Sequence, residues 1–208
     1  MNLKPEELET LGYELVDSLD HQDIIPFVKK YLKAKTLFSL LYTVANILSL
    51  MLLAVWLWKC HHYNGIALKD EINYLSFGII LALALIPLHE FIHVLAYKSQ
   101  GAKKTSYDAN IRKFYFMAIA DRFVANKKEF TIVALAPFVT ISFGLLSLAA
   151  LCEPALSITF LSAFLTHTAC CSGDFGMLSY FAANKSKEVV TYDEKTIGVS
   201  YFYHKERI

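Results

Sequence analysis

His89-Glu90-Phe91-Ile92-His93 places two imidazoles four residues apart, with a carboxylate beside the first. Four residues of helix turn the chain through about 400°, so His89 and His93 project from one face, one turn apart. Two imidazoles so placed can grip one Zn²⁺ at about 2.0–2.1 Å each. Glu90 lies about 100° round from His89, near enough to take a proton from a metal-acidified water without binding the metal itself. The same carboxylic acid can then protonate a leaving amine. The spacing points to metal-assisted hydrolysis.

A catalytic zinc normally takes three protein ligands, and the third must come from elsewhere in the chain. Asp174, in Ser172-Gly173-Asp174-Phe175-Gly176, is the only carboxylate inside the other long apolar runs. A lone buried carboxylate needs a positive partner, which zinc supplies. His167, Cys170 and Cys171 lie at similar depth, and His167 shares a helical face with Cys170, Cys171 and Asp174. Any of them could reach the metal. For His167 a hydrogen-bonded core role is the stronger expectation, and for the cysteines simple packing.

These residues sit in runs long enough to cross a bilayer, which takes roughly 20 apolar residues in a helix. Four segments pass: 37–58, ending in Trp56 and Trp58; 74–97, with the His-Glu motif; 130–152, with Pro137; and 154–183, with His167 and Asp174. An ionisable residue at the bilayer centre costs about 2.5–3.5 kcal/mol on insertion scales, and a metal offsets that cost where packing does not. Of the 20 Lys and Arg residues, 18 fall on one side if four spans keep both termini together. That asymmetry predicts cytoplasmic termini and a cytoplasmic central loop. The first apolar run follows an acidic polar segment, the wrong layout for a signal peptide.

The remaining pieces are small. Residues 5–35 read as one or two amphipathic helices, the second able to lie along an anionic membrane face through Ile24, Ile25, Phe27, Val28, Tyr31 and Leu32. Phe114, Phe116 and Ile119, with Tyr115 and Met117 between them, favour a short strand or hairpin near the membrane. In the tail, 189–192 and 197–203 flank Asp193-Glu194-Lys195-Thr196 as a β-hairpin. A net charge of +1 with no basic block excludes a nucleic-acid binder. The four cysteines have no disulfide or zinc-ribbon spacing, so they read as reduced or buried thiols.

The run from Pro87 to His93, Gly101-Ala102-Lys103, the aromatic segment 114–117, the stretch 130–137, Gly173-Asp174, and a tail with Asp193 ahead of Gly198 and Tyr201 together resemble a small bacterial family of multi-pass membrane zincin peptidases. That family is similar to the site-2 protease clan of intramembrane zinc metalloproteases. The resemblance implies His89, His93 and Asp174 as metal ligands and Glu90 as catalytic base. It also implies that region 101–128 lines an unwound substrate by strand addition. One departure is plain: the clan presents its aspartate in an Asn-Pro-Asp-Gly-like setting, and here it is Ser-Gly-Asp-Phe-Gly.

The expected fold is an all-α membrane protein. It has four transmembrane helices, a short membrane-surface β-hairpin between the second and third, and a small C-terminal β-hairpin. Its parts are a cytoplasmic amphipathic segment (1–36), a four-span metalloprotease-like domain (37–183) and a cytoplasmic tail (184–208). The expected activity is zinc-dependent endopeptidase cleavage at the cell membrane, with Zn²⁺ as cofactor. Its partners would be the lipid bilayer and a peptide or membrane-protein substrate. The alternative is a non-hydrolytic metal-binding membrane protein, such as a sensor, scaffold or transport component.

Overall fold

A computed structural model describes residues 3–110 and 115–206. The chain divides into two units. One comprises Met1–Ser39, Glu90–Ala136 and Gly173–Ile208; the other comprises Leu40–His89 and Pro137–Ser172. The chain is mostly helical, with two small β-sheets in the first unit where two hairpins were expected.

Helix α2 (Leu37–Tyr63) is uncharged until Lys59, and most of its leucines, with Met51 and Val55, are exposed. An apolar surface of this length is compatible with a membrane-spanning helix. Helices α3 (Leu68–Ala84) and α4 (Ile86–Ser99) follow one another with a break at Leu85. Pro87 explains the break: proline is tolerated in the first turn of a helix, but in the interior its ring clashes with the carbonyl four residues back. Helix α5 (Lys127–Leu151) carries Pro137 inside it. Helices α6 (Pro154–Cys170) and α7 (Ser172–Ala183) follow one another with a break at Cys171. Among the described residues, three helical stretches, 37–63, 68–99 and 127–151, are long and apolar enough to cross a membrane, or four if the α6–α7 pair is one span.

In the second unit α3 packs on α6 with almost no room between them. A Cβ on Gly78 would lie 2.4 Å from the Thr159 carbonyl oxygen and 2.5 Å from the Ser162 Cβ. The hydroxyls of Thr159 and Ser162 donate to the carbonyls of Tyr74 and Leu75, at 3.0 and 2.8 Å. Small residues at a close helix crossing, with hydroxyls bonded across it, are how apolar helices associate without a hydrophobic drive from water.

The first unit holds a four-stranded antiparallel sheet in the order β1-β6-β5-β4. Its strands are β1 (Glu14–Asp20), β4 (Ala125–Asn126), β5 (Lys187–Glu194) and β6 (Val199–Glu206). The C-terminal hairpin is therefore two strands of a larger sheet. Gly198, at φ +66°, closes its turn. Phe202 and Val190 are fully buried, and Phe202, Tyr180, Phe181 and Phe130 form an aromatic core with α5 and α7.

The first helix expected within 5–35 is instead a short turn and strand β1, paired along β6. A bulge between Leu15 and Asp17 interrupts the two-residue alternation, so the strand period is hidden in the sequence. Helix α1 (Ile24–Leu32) does form, with Ile24, Phe27 and Tyr31 packed on the unit's own core. Val28 seats against Gly176, where a Cβ would come within 2.9 Å.

Strands β2 (Thr105–Asn110) and β3 (Tyr115–Ala120) form a separate antiparallel pair. Phe114, expected in the strand, lies outside the described residues. This pair is joined to the larger sheet by buried His21, whose Nδ1 is 3.5 Å from Asp108 Oδ2 and whose Nε2 is 3.1 Å from Ser200 Oγ. Ser200 donates onward to Asp193 at 2.6 Å. Burial pushes the Asp193 carboxyl above the usual range.

Candidate metal centre

Helix α4 carries His89, Glu90 and His93. The second histidine is held from two sides within the first unit. Its Nδ1 is 2.9 Å from the Val133 carbonyl oxygen in α5, and its Nε2 is 3.2 Å from Asp174 Oδ1 in the first turn of α7. A carbonyl oxygen only accepts, so the Nδ1 proton is committed to Val133. A neutral ring so fixed turns its Nε2 lone pair toward the carboxylate, and two acceptors at that distance require a proton or a cation between them.

The bond to Val133 has a cause in the sequence. Pro137 has no backbone N–H, so the carbonyl four residues before it, Val133, lacks its usual helical donor. That carbonyl is the one taken by His93. Pro137, read from the sequence as a helix kink or a family position, thus supplies an acceptor that fixes an imidazole's tautomer and direction. A valine four residues before an intrahelical proline was the available signal.

Glu90 is buried, and its Oε2 accepts from the Ala118 backbone N–H at 2.7 Å. The donor is in β3, so the strand pair positions the carboxylate. The sequence predicted a strand there but not that its backbone would reach Glu90.

Within the second unit, His89 Nδ1 is 3.2 Å from His167 Nε2. His167 and Cys171 are buried, and Cys170 is exposed. Of the residues singled out by sequence, then, Glu90, His93 and Asp174 gather in one unit, and His89, His167 and Cys171 in the other.

The donors suit zinc. Nitrogen and oxygen ligands sharing one tetrahedral zinc lie about 3.3–3.5 Å apart, given bond lengths of about 2.0–2.2 Å. The 3.2 Å between His93 and Asp174 is close to that separation. Outer partners such as the Val133 carbonyl normally contribute about 10–100-fold to metal affinity. Pro137→Ala restores a competing helical N–H, so zinc affinity should fall by roughly that range. The metal-free variant should unfold at no lower temperature, because alanine is better by about 3 kcal/mol in a helix interior. Isothermal titration and thermal unfolding of the same samples check the two opposite signs.

Residues 82–189, slightly more than half of the chain, match the model of a family described as "Putative zincin peptidase". No curated protein and no solved structure matches.

Proposed function

We propose, because the chain belongs to the zincin peptidase family and brings its motif histidine onto an aspartate, that it is a membrane-embedded zinc endopeptidase. The carrying observation is the 3.2 Å approach of His93 Nε2 to Asp174 Oδ1, with Glu90 three residues before His93 on the same helix. In this reading His89, His93 and Asp174 hold the ion and Glu90 is the general base. The ion supplies Lewis acidity, which lowers the pKa of water toward about 7 and polarises a peptide carbonyl.

The protein's own groups do the rest. The Val133 carbonyl holds the Nδ1 proton of His93, so Nε2 is the nitrogen that would face the ion. The Ala118 N–H holds Glu90 in place through Oε2, and in this reading the carboxylate takes a proton from the attacking water. As the water oxygen bonds to the carbonyl carbon and the C–N bond breaks, Glu90 returns that proton to the departing nitrogen. Long apolar helices support placement in the cell membrane. The charge asymmetry of the loops supports cytoplasmic termini. Ligands contributed by separate helices also support kinship with the site-2 protease clan. Product formation from a peptide library, compared between the parent and a Glu90→Gln variant, separates this reading from a non-hydrolytic metal-binding protein.

A further inference from the structure

We infer a second metal position, built by His89, His167 and Cys171, that takes a zinc-class ion on two imidazoles and one thiolate. All three donors lie in one unit, with one ligand atom from each within 4.8 Å of the others. His89 Nδ1 is 3.2 Å from His167 Nε2, and His167 Nε2 is 3.8 Å from Cys171 Sγ. Two nitrogens on one tetrahedral zinc lie about 3.3–3.4 Å apart, and a nitrogen and a sulfur about 3.6 Å apart. These two spacings match ligands around one ion to within a few tenths of an ångström, and the third pair lies within 4.8 Å.

The local structure explains how the set arises. His167 and Cys171 are four residues apart, the same spacing as His89 and His93, so both point from one face of the α6 end. The helix breaks at Cys171, whose N–H still donates to the His167 carbonyl at 3.1 Å, and this holds the thiol beside the ring. Cys170 is exposed and takes no part. His167 and Cys171 are 3% and 1% exposed, too enclosed for a surface role. Thiolate with imidazole selects zinc or softer ions over magnesium and calcium.

The position shares His89 with the proposed catalytic set, so one ion occupies one of the two at a time. It does not require peptide hydrolysis, and its failure reads differently from failure of the peptidase reading. The test is titration of the metal-free full chain in detergent micelles with Co²⁺, followed by absorption. The parent and an Asp174→Asn variant should show a near-ultraviolet thiolate-to-cobalt band, stronger in the variant because its competing position is weakened. Cys170→Ser should keep the band. Cys171→Ser should lose it while still binding cobalt through nitrogen and oxygen. Cobalt bound by parent and Asp174→Asn without that band overturns this position alone, as does a band that survives Cys171→Ser. Parent protein that binds no cobalt overturns both positions. Undiminished cleavage by a Glu90→Gln variant, with the band present, overturns only the peptidase reading.

Discussion

Glu90→Gln should keep its metal and lose cleavage by about 10²–10⁴-fold, the usual share of general acid–base catalysis. Glutamine matches the glutamate in shape, and its amide oxygen can still accept from the Ala118 N–H that now meets Oε2 at 2.7 Å. Position is therefore kept and only proton transfer is removed. Because Glu90 is not among the proposed ligands, elemental analysis should find parent-like zinc in the variant. Mass spectrometry of a peptide library should find almost no products. A variant that cleaves like the parent would remove Glu90 from the mechanism.

His93→Ala should abolish cleavage and also destabilise the metal-free protein by about 3–5 kcal/mol, the range for stripping one partner from a buried ion pair. Asp174 and His93 are both largely enclosed, with side chains 16% and 10% exposed. Without the imidazole, the carboxylate loses the His93 contact and the Val133 carbonyl loses the Nδ1 donor. The double variant His93→Ala/Asp174→Ala removes the charge along with its partner. It should be no less stable than His93→Ala alone, so the two effects should be strongly non-additive. Thermal unfolding in detergent with chelator present checks this. Simple addition of the two single effects would mean that the side chains do not act as a pair.

What could be read from the sequence was local. His89, Glu90 and His93 are set by one turn of helix, and their facing follows from spacing alone. Long apolar runs such as 37–58 mark helices long and apolar enough to cross a membrane, because that property is set by composition and length alone. Contacts between distant segments were a different matter. Nothing in its own composition aims His167 at His89, 78 positions earlier; helix register decides that. The breaks at Leu85 and Cys171 interrupt runs whose hydropathy reads straight through them. Strand β1 was taken for helix because its backbone partners, in β6, lie at the far end of the chain, and its bulge erases the strand alternation. Pro137 was visible throughout. Its effect on His93 appears only when α4 and α5 are seen side by side within one unit.

The most direct measurement is the zinc content of the full chain, purified in detergent without chelator, for the parent and for His89→Ala. His89 belongs to the proposed catalytic donor set and to the proposed thiolate position alike, so its loss should disable both. The expected result is about one zinc per chain in the parent, the single metal of a three-ligand catalytic site, and next to none in His89→Ala. A parent that carries no zinc, or a His89→Ala variant that keeps the parent's full content, would contradict the metal centre on which the hydrolytic reading is built.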